Sequence, residues 1–348
     1  MRLADSHVHI TDTSTLAVRT MLDELADYGV TDVALQSIST KPTYDRVQSL
    51  AALLWKSKYT RMSISAFGCL HELDAFAAIP YEKQAEELLA LGCDGMKFLH
   101  MKPDLRKMIG KGLDHDSYDG VLSMLEERKI PITIHSGDPE TFWDINKIPE
   151  SLIARGWFYG DGTYLSREEH YAEIFRMLDK HPRLKVTLAH FFFLSSFRGE
   201  AERVLETYPS VSFDLTPGWE MYLGFSEDID AWRDFFIKYS DRIIFGTDSD
   251  SHKKENTKLH ELVYSALTHD RGEFAMPCFG GHIIKGLDLP ADVVERICYG
   301  NYKKLVPTTA HVDPDGVYSA AERMLFTLKD NQDEAASINW LEGLLSNE

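Results

Sequence analysis

The residues most capable of chemistry in this chain are two histidines near its start. His7 and His9 lie in residues 4–10, where the apolar and β-branched pattern predicts a strand. Side chains two positions apart on a strand point to the same side. Two imidazoles presented side by side are suited to binding a divalent ion such as Zn²⁺.

Further candidates follow strand-like runs downstream. His135 and His190 each close such a run, Asp248 follows another, and Lys97 is predicted to lie at the end of a fourth. Active sites of alternating strand–helix barrels form at the carboxyl ends of the strands. Because these residues recur there in order, we expect imidazoles and a carboxylate to surround one open metal position.

The elements that must position these residues alternate along the chain. Strands are predicted at residues 3–10, 32–37, 62–69, 95–99, 130–135, 185–190, 211–215 and 242–246. Amphipathic helices are predicted between them, at residues 16–28, 84–91, 117–128 and 200–207, and a capping box of Ser166 and Glu169 opens another through residue 180. Such alternation predicts an α/β fold with parallel strands. Eight units favour a (β/α)8 TIM barrel over an open sheet, and no GxGxxG motif supports the open alternative.

Composition narrows the function classes. The 348 residues carry a formal net charge of −18, which argues against nucleic acid and anionic membranes as partners. The four cysteines form no CxxC pair, so neither a disulfide framework nor a zinc ribbon is indicated. With no predicted signal peptide or membrane span, we expect a cytoplasmic protein that acts on a small molecule.

Two regions depart from a minimal barrel. The stretch between the fifth and sixth strands is long and aromatic, and we expect either a substrate lid or an insertion packed on the rim. Residues 1–308 are predicted to form the barrel, and residues 309–348 a short C-terminal helical extension of the same domain. Its helices would dock on the barrel or on another copy of the chain in a homo-oligomer.

Several segments together resemble the amidohydrolase superfamily, in particular its amidohydrolase-related (amidohydrolase 2) branch. They include Asp5-Ser6-His7-Val8-His9, Gly95-Met96-Lys97-Phe98, the run from Ile130 to Gly137, the run from His181 to His190, and the run from Asp241 to Asp248. The likeness extends over roughly residues 1–306. It implies a metal-dependent TIM-barrel enzyme.

The resemblance also implies a ligand set. His7, His9, His135 and Asp248 would bind one divalent ion, most simply zinc, with manganese as the alternative, and His190 and Lys97 would lie nearby. Some superfamily members carry a carboxylated lysine that bridges two ions. In that arrangement Lys97 and His190 would also be ligands. We favour one ion.

Three functions are compatible with these residues. In the first, a metal-dependent hydrolase, the metal activates a water that attacks an amide, lactone or related carbonyl. Asp248 accepts the proton, while His190 and Lys97 assist. The second is a metal-dependent nonoxidative decarboxylase of a small aromatic or unsaturated acid, which needs a cationic clamp for the carboxylate. The third is a non-catalytic metal-binding barrel.

Overall fold

The computed structural model describes residues 2–38, 46–72, 76 and 78–346. Within these residues, one sheet contains nine parallel strands, in which each strand from β1 to β7 pairs with the next along the chain and β9 pairs with β1. The strands are β1 (Leu3–His9), β2 (Val30–Gln36), β3 (Ser63–Cys69), β4 (Gly95–Met101), β5 (Ile132–Ser136), β6 (Val186–Leu188), β7 (Val211–Asp214), β8 (Ile243–Ile244) and β9 (Ser249–Asp250).

Two short strands close the sheet into a barrel: β8 lies within the eighth predicted strand, and β9 lies just beyond it. β8 pairs with β7, and β9 pairs with β1. Between them, the Ser6 amide donates to the Phe245 carbonyl at 3.0 Å and the Asp248 amide donates to the His7 carbonyl at 2.9 Å. The predicted (β/α)8 TIM barrel is therefore confirmed.

Helices follow most strands and cover the outside of the barrel. They are α1 (Thr15–Tyr28), α2 (Gln48–Lys58), α3 (Tyr81–Leu91), α4 (Pro103–Ile109), α5 (Asp119–Glu127), α6 (Glu150–Ile153), α7 (Arg167–Lys180), α8 (Arg198–Thr207), α9 (Trp219–Glu227), α10 (Ile229–Lys238), α11 (Asn256–Thr268), α12 (Ala291–Glu295), α13 (Asn301–Leu305), α14 (Pro314–Leu328) and α15 (Ala335–Leu345). A small antiparallel hairpin joins β10 (Glu273–Ala275) to β11 (Ile283–Lys285). In the described part of the chain, no helix combines the length and apolar character needed to cross a bilayer.

Local sequence explains where several helices begin and end. The Ser14 hydroxyl accepts the Ala17 amide at the start of α1, and Gly29 ends that helix with a φ of 105°. The predicted capping box is present at α7, where Ser166 and Glu169 satisfy each other's backbone amides. These caps set the helix ends, and apolar faces packed on the sheet supply most of the stability.

Four predictions of local structure need correction. β6 ends at Leu188 rather than at residue 190, because the backbone turns left-handed at His190 with a φ of 56°. Similarly, β8 ends at Ile244. Lys97 lies in the middle of β4 rather than at its end. The helix α2 went unpredicted because most of its residues, Gln48 and Ser49 among them, are buried, so polar and apolar residues do not separate onto two faces.

The two departures from a minimal barrel pack as compact additions. Aromatic and aliphatic side chains between β5 and α7 form their own apolar cluster, centred on Phe142, Ile148 and Tyr159. This packing supports the rim-insertion alternative. The C-terminal helix α14 packs against α2, α3 and α15, as expected for an extension that docks on the barrel.

Candidate metal centre

Three predicted ligands converge at the carboxyl end of the barrel. His7 and His9 lie at the end of β1, and Asp248 lies in the break between β8 and β9. The His7 Nε2 and His9 Nε2 atoms are 3.2 Å apart, and Asp248 Oδ1 lies 3.2 Å from His9 Nε2 and 3.9 Å from His7 Nε2. Among the described residues, these three form the group of potential ligands whose binding atoms lie within 4.8 Å of one another. We call it the His7 cluster.

Hydrogen bonds on the far side of each ring fix the tautomers of this cluster. His9 Nδ1 is 2.6 Å from the Gln36 carbonyl oxygen, which can only accept, so the proton lies on Nδ1. His7 Nδ1 donates to Asp214 Oδ2 at 2.8 Å. Both Nε2 atoms therefore present lone pairs to the same point, as ligating histidines do when their second nitrogen is held by an acceptor.

These facing lone pairs show that the residues fit a cation. Two acceptor nitrogens at 3.2 Å cannot hydrogen-bond to each other, and the Asp248 carboxylate adds a third acceptor. In the structure the Lys97 ammonium donates to His7 Nε2 at 2.9 Å. Two imidazoles and a carboxylate are a donor set for Zn²⁺ or another borderline divalent ion.

His135 and His190 form a separate unit, which we call the His135 pair. His190 Nδ1 donates to the Thr216 carbonyl at 3.2 Å, which leaves its Nε2 to accept from His135 Nδ1 at 3.1 Å. Their ring centroids are 4.6 Å apart, and that of His190 lies 5.6 Å from His7. The structure thus places His190 beside His7 and brings His135 into contact with His190.

Asp138 links the His135 pair to the aromatic insertion. Its Oδ1 lies 3.5 Å from His135 Nε2, while its Oδ2 accepts from Lys102 Nζ at 2.5 Å and from the Tyr159 hydroxyl at 2.7 Å. Lys102 also lies over the Trp157 ring. The aromatic insertion is therefore hydrogen-bonded, through Tyr159, to the carboxylate that lies beside His135.

Burial governs the charge state of the histidines. It lowers the pKa of His135 to about 4 and that of His190 to about 3, and nearby cations reinforce the shift. Burial also lowers the pKa of His7 well below its usual value, with Lys97 adding to the effect. These rings are uncharged at neutral pH, which is the form that binds metals.

The charged partners of the cluster are shifted as well. Burial lowers the pKa of Lys97 to about 8, although Asp214 and Asp248 oppose that shift. For Asp248, burial alone would raise the pKa of the carboxyl, but the Lys253 ammonium outweighs it and holds that pKa well below its usual value. The Lys253 ammonium lies 3.0 Å from Asp248 Oδ2.

Two residues of the site were missed by sequence reasoning. Asp214 ends β7 and is fully buried; besides holding His7, its Oδ1 accepts the His190 amide at 2.8 Å. A carboxylate between Phe213 and Leu215 in an apolar run was the available indication. Lys253 follows β9 in a polar loop, and nothing in the sequence distinguishes it from other surface lysines.

A cavity of about 280 Å³ opens beside Asp248. Polar groups of Thr247, Asp248 and Lys253 line one part of it, and apolar groups of Leu259 and Phe279 line another. Pockets of this size and mixed lining accommodate small molecules.

Comparisons with known proteins agree with this geometry. A family model described as amidohydrolase matches residues 4–308. No curated protein sequence matches the chain. Solved structures that match include 5-carboxyvanillate decarboxylase from Sphingomonas paucimobilis, at 14% identity over 88% of this chain and 99% of that chain with a TM-score of 0.53.

Two further solved structures have similar folds. One is 4-oxalomesaconate hydratase from Rhodopseudomonas palustris, at 13% identity over 94% of this chain and 99% of that chain with a TM-score of 0.52. The other is a probable 2-pyrone-4,6-dicarboxylic acid hydrolase from Acinetobacter baumannii, at 12% identity over 88% of this chain and 100% of that chain with a TM-score of 0.53. At these identities the likeness concerns the fold. The match of the family model over most of the chain shows more: this protein belongs to the amidohydrolase family and is an enzyme of that type.

Proposed function

We propose that the protein is a metal-dependent hydrolase of a small-molecule amide, lactone or related carbonyl compound. The observation that carries this proposal is the convergence of two tautomer-fixed Nε2 lone pairs and Asp248 Oδ1 beside a cavity. His7, His9 and Asp248 would hold the ion, zinc or manganese, with His135 as the further ligand that the family resemblance implies. A divalent ion bound there lowers the pKa of water toward about 7 and polarises a carbonyl oxygen.

The residues around the ion divide the remaining tasks. Asp248 is ionised, and its Oδ1 atom faces His9, so it can accept a proton from the attacking water. Lys253 stabilises the same carboxylate through Oδ2. His190 carries an acceptor Nε2 and can relay a proton. Lys97 is a buried ammonium donor that can orient a substrate oxygen.

Metal content per chain is the first test of this proposal. Protein purified without chelator or added metal should contain about one zinc or manganese ion, as a mononuclear catalytic site requires. Chelation should abolish hydrolysis of an active member of a lactone and amide panel, and added metal should restore it. A chain that neither contains metal nor binds it on titration would contradict the proposal.

A nonoxidative decarboxylase of a small aromatic or unsaturated acid is the second candidate. The buried Lys97 ammonium favours it, because a cation beside the metal ligands could hold a substrate carboxylate or supply a proton to carbon. One protein of similar fold is a 5-carboxyvanillate decarboxylase. Against it, the other two lysines near the site already pair with carboxylates, Lys253 with Asp248 and Lys102 with Asp138.

Carbon dioxide release separates the two candidates. The metal-loaded enzyme is incubated with a panel of hydroxybenzoates and, in parallel, with the lactones and amides. Asp116→Asn is a matched control for Asp248→Asn, because Asp116 has a side chain that is 92% exposed. Decarboxylation lost in Asp248→Asn and kept in Asp116→Asn would replace the hydrolase proposal by the lyase.

A further inference from the structure

The segment that carries His190 has an unusual backbone. All four residues from His190 to Phe193 have positive φ values, 56°, 53°, 54° and 52°, and none of them is glycine. This segment, the left-handed turn, is closed by the Phe192 amide donating to Ala189 O and the Leu194 amide donating to Phe191 O. Left-handed backbone is unfavourable for each L-residue with a side chain, so consecutive examples persist only where the surroundings impose them.

Polar groups hold the left-handed turn at its start and in its middle. Asp214 Oδ1 accepts the His190 amide at 2.8 Å, and the Thr216 carbonyl accepts His190 Nδ1 at 3.2 Å. The Tyr171 hydroxyl donates to the Phe192 carbonyl at 2.7 Å. Each of these partners is buried or part-buried, so each bond resists rotation of the segment.

Aromatic packing holds the turn from the barrel's outer layer. Phe191 is fully buried, and its ring contacts the rings of Phe213, Phe225, Trp232, Phe235 and Phe236. Phe192 contacts Tyr171 and Phe175. Burial of these two rings is a driving force large enough to retain an unfavourable backbone.

The consequence of the turn is seen at its fourth residue. In a turn with three residues per rotation, side chains at positions i and i+3 lie over one another. Phe193 therefore stacks on the His190 ring, at 5.2 Å between centroids and 21° between planes, and also lies 5.7 Å from the His135 ring. Phe193 is only half-buried, so core packing alone does not account for its place.

We propose that the left-handed turn holds the His190 ring in one orientation, with Nε2 directed at His135, and that Phe193 is the positioning residue that fixes it. This inference rests on the proposed function for its catalytic consequence, because His190 is the proposed proton relay. Its structural part, a single ring orientation and a single tautomer, does not depend on which reaction the enzyme performs.

Phe193→Ala and Phe193→Gly test the proposal together. Both remove the ring, and glycine also relieves the backbone constraint. We expect kcat to fall about 10- to 100-fold, the range for a misplaced catalytic group, and KM to change far less, with the glycine variant the more impaired. Phe193→Leu, which keeps apolar volume without a ring, guards against loss of folding and should show the same reduction in kcat.

The matched control is a second stacked pair. Phe274 in β10 is half-buried and stacks on His269 at 4.5 Å and 24°, with ordinary backbone and far along the chain from the proposed ligands. Phe274→Ala and Phe274→Gly remove the same contact and should leave kcat unchanged.

A spectroscopic measurement separates this inference from the proposed function. Nitrogen-15 NMR of histidine-labelled, zinc-loaded protein should show His190 as the pure Nδ1–H tautomer, with its signal assigned by its loss in His190→Gln. In Phe193→Gly the signal should broaden or average between tautomers. Unchanged kcat and tautomer in all three Phe193 variants, or a rise in KM with kcat unchanged, would overturn the proposal. If no panel substrate is turned over, the tautomer alone decides it.

Discussion

The His7 cluster and a second group of buried polar residues use the same chemistry at the same end of the barrel for opposite purposes. The second group, the Glu72 network, consists of Glu72, Tyr81, His100 and Tyr118. The Glu72 carboxylate accepts from His100 Nε2 at 2.8 Å, from the Tyr118 hydroxyl at 2.7 Å and from the Tyr81 hydroxyl at 2.7 Å. Both groups place histidine and a carboxylate at or near the carboxyl ends of strands.

The two groups differ in where their hydrogen-bond donors and acceptors point. In the Glu72 network every donor faces the one carboxylate, so the carboxylate oxygens are hydrogen-bonded within the network and no set of lone pairs converges. In the His7 cluster the donors point outward, to Asp214 and the Gln36 carbonyl, and the acceptors point inward. Histidine and carboxylate at strand ends therefore do not by themselves make a metal site; the site depends on outer acceptors that fix the tautomers.

Asp248→Asn gives the largest effect expected from this comparison. The change keeps the shape of the side chain and removes its charge, so both a metal ligand and the proposed proton acceptor are lost. We expect turnover to fall about 10²- to 10⁴-fold, the range for a general acid–base group. Glu72→Gln is the same kind of change in the Glu72 network and should leave turnover per folded molecule unaltered. Wild-type turnover in Asp248→Asn would remove Asp248 from its assigned role.

Metal content tests whether the His7 cluster and the His135 pair contribute differently to metal binding. His9→Gln removes one of the converging lone pairs and should reduce bound metal to a small fraction of a full site. His135→Gln should retain more of the bound metal than His9→Gln, because in the structure His135 contacts His190 rather than the three converging ligand atoms. Elemental analysis after dialysis decides. Equal loss in both variants would show that His135 joins the cluster when metal binds, as the family resemblance implies.

Asp214→Asn tests whether outer acceptors matter. An amide oxygen accepts more weakly than a carboxylate, so His7 loses the partner that holds its Nδ1 proton. We expect metal affinity to fall about 10- to 100-fold, as for other groups that orient ligands. Competition with a chelating dye measures it, with Asp116→Asn as control. Unchanged affinity would mean that β1 alone orients the ring.

Much of this could be predicted from the sequence, and the remainder depends on three-dimensional partners. The alternation of elements predicted the barrel, and the ordered strand ends predicted His7, His9 and Asp248 as neighbours. Neither could show that His135 pairs with His190, because a strand end fixes a position and not the direction of a ring. Lys97 was placed at a strand end although it lies in mid-strand, because strand boundaries depend on pairing with neighbours that a single run does not contain.

The Glu72 network should make a measurable contribution to the acid dependence of stability. Burial would raise the pKa of Glu72, but hydrogen bonds from His100 and the two tyrosines outweigh it and lower that pKa to about 2. The unfolded chain protonates this carboxyl near pH 4.3, so its stabilisation is complete above that pH and is lost as the pH falls toward 2. On acidification, the unfolding free energy of the wild type should fall by about 3 kcal/mol more than that of Glu72→Gln. Denaturant unfolding between pH 6 and pH 2 measures it, and parallel pH profiles for the two proteins would contradict it.

Backbone strain extends the comparison, because it is present at the metal centre and absent from the Glu72 network. Asp248 and the four residues of the left-handed turn have positive φ values, whereas the four members of the Glu72 network do not. The unfolding free energy of Phe193→Gly should therefore exceed that of Phe193→Ala by about 1–2 kcal/mol, the cost of left-handed backbone for an L-residue. At Phe274, in a strand, alanine should be the more stable by about 0.5–1 kcal/mol. Unfolding free energies of the four variants give both differences without any assay of activity. If alanine were the more stable variant at both positions, the turn would have relaxed once the Phe193 ring was removed. The strain would then be imposed by Phe193 itself rather than by the packing of Phe191 and Phe192.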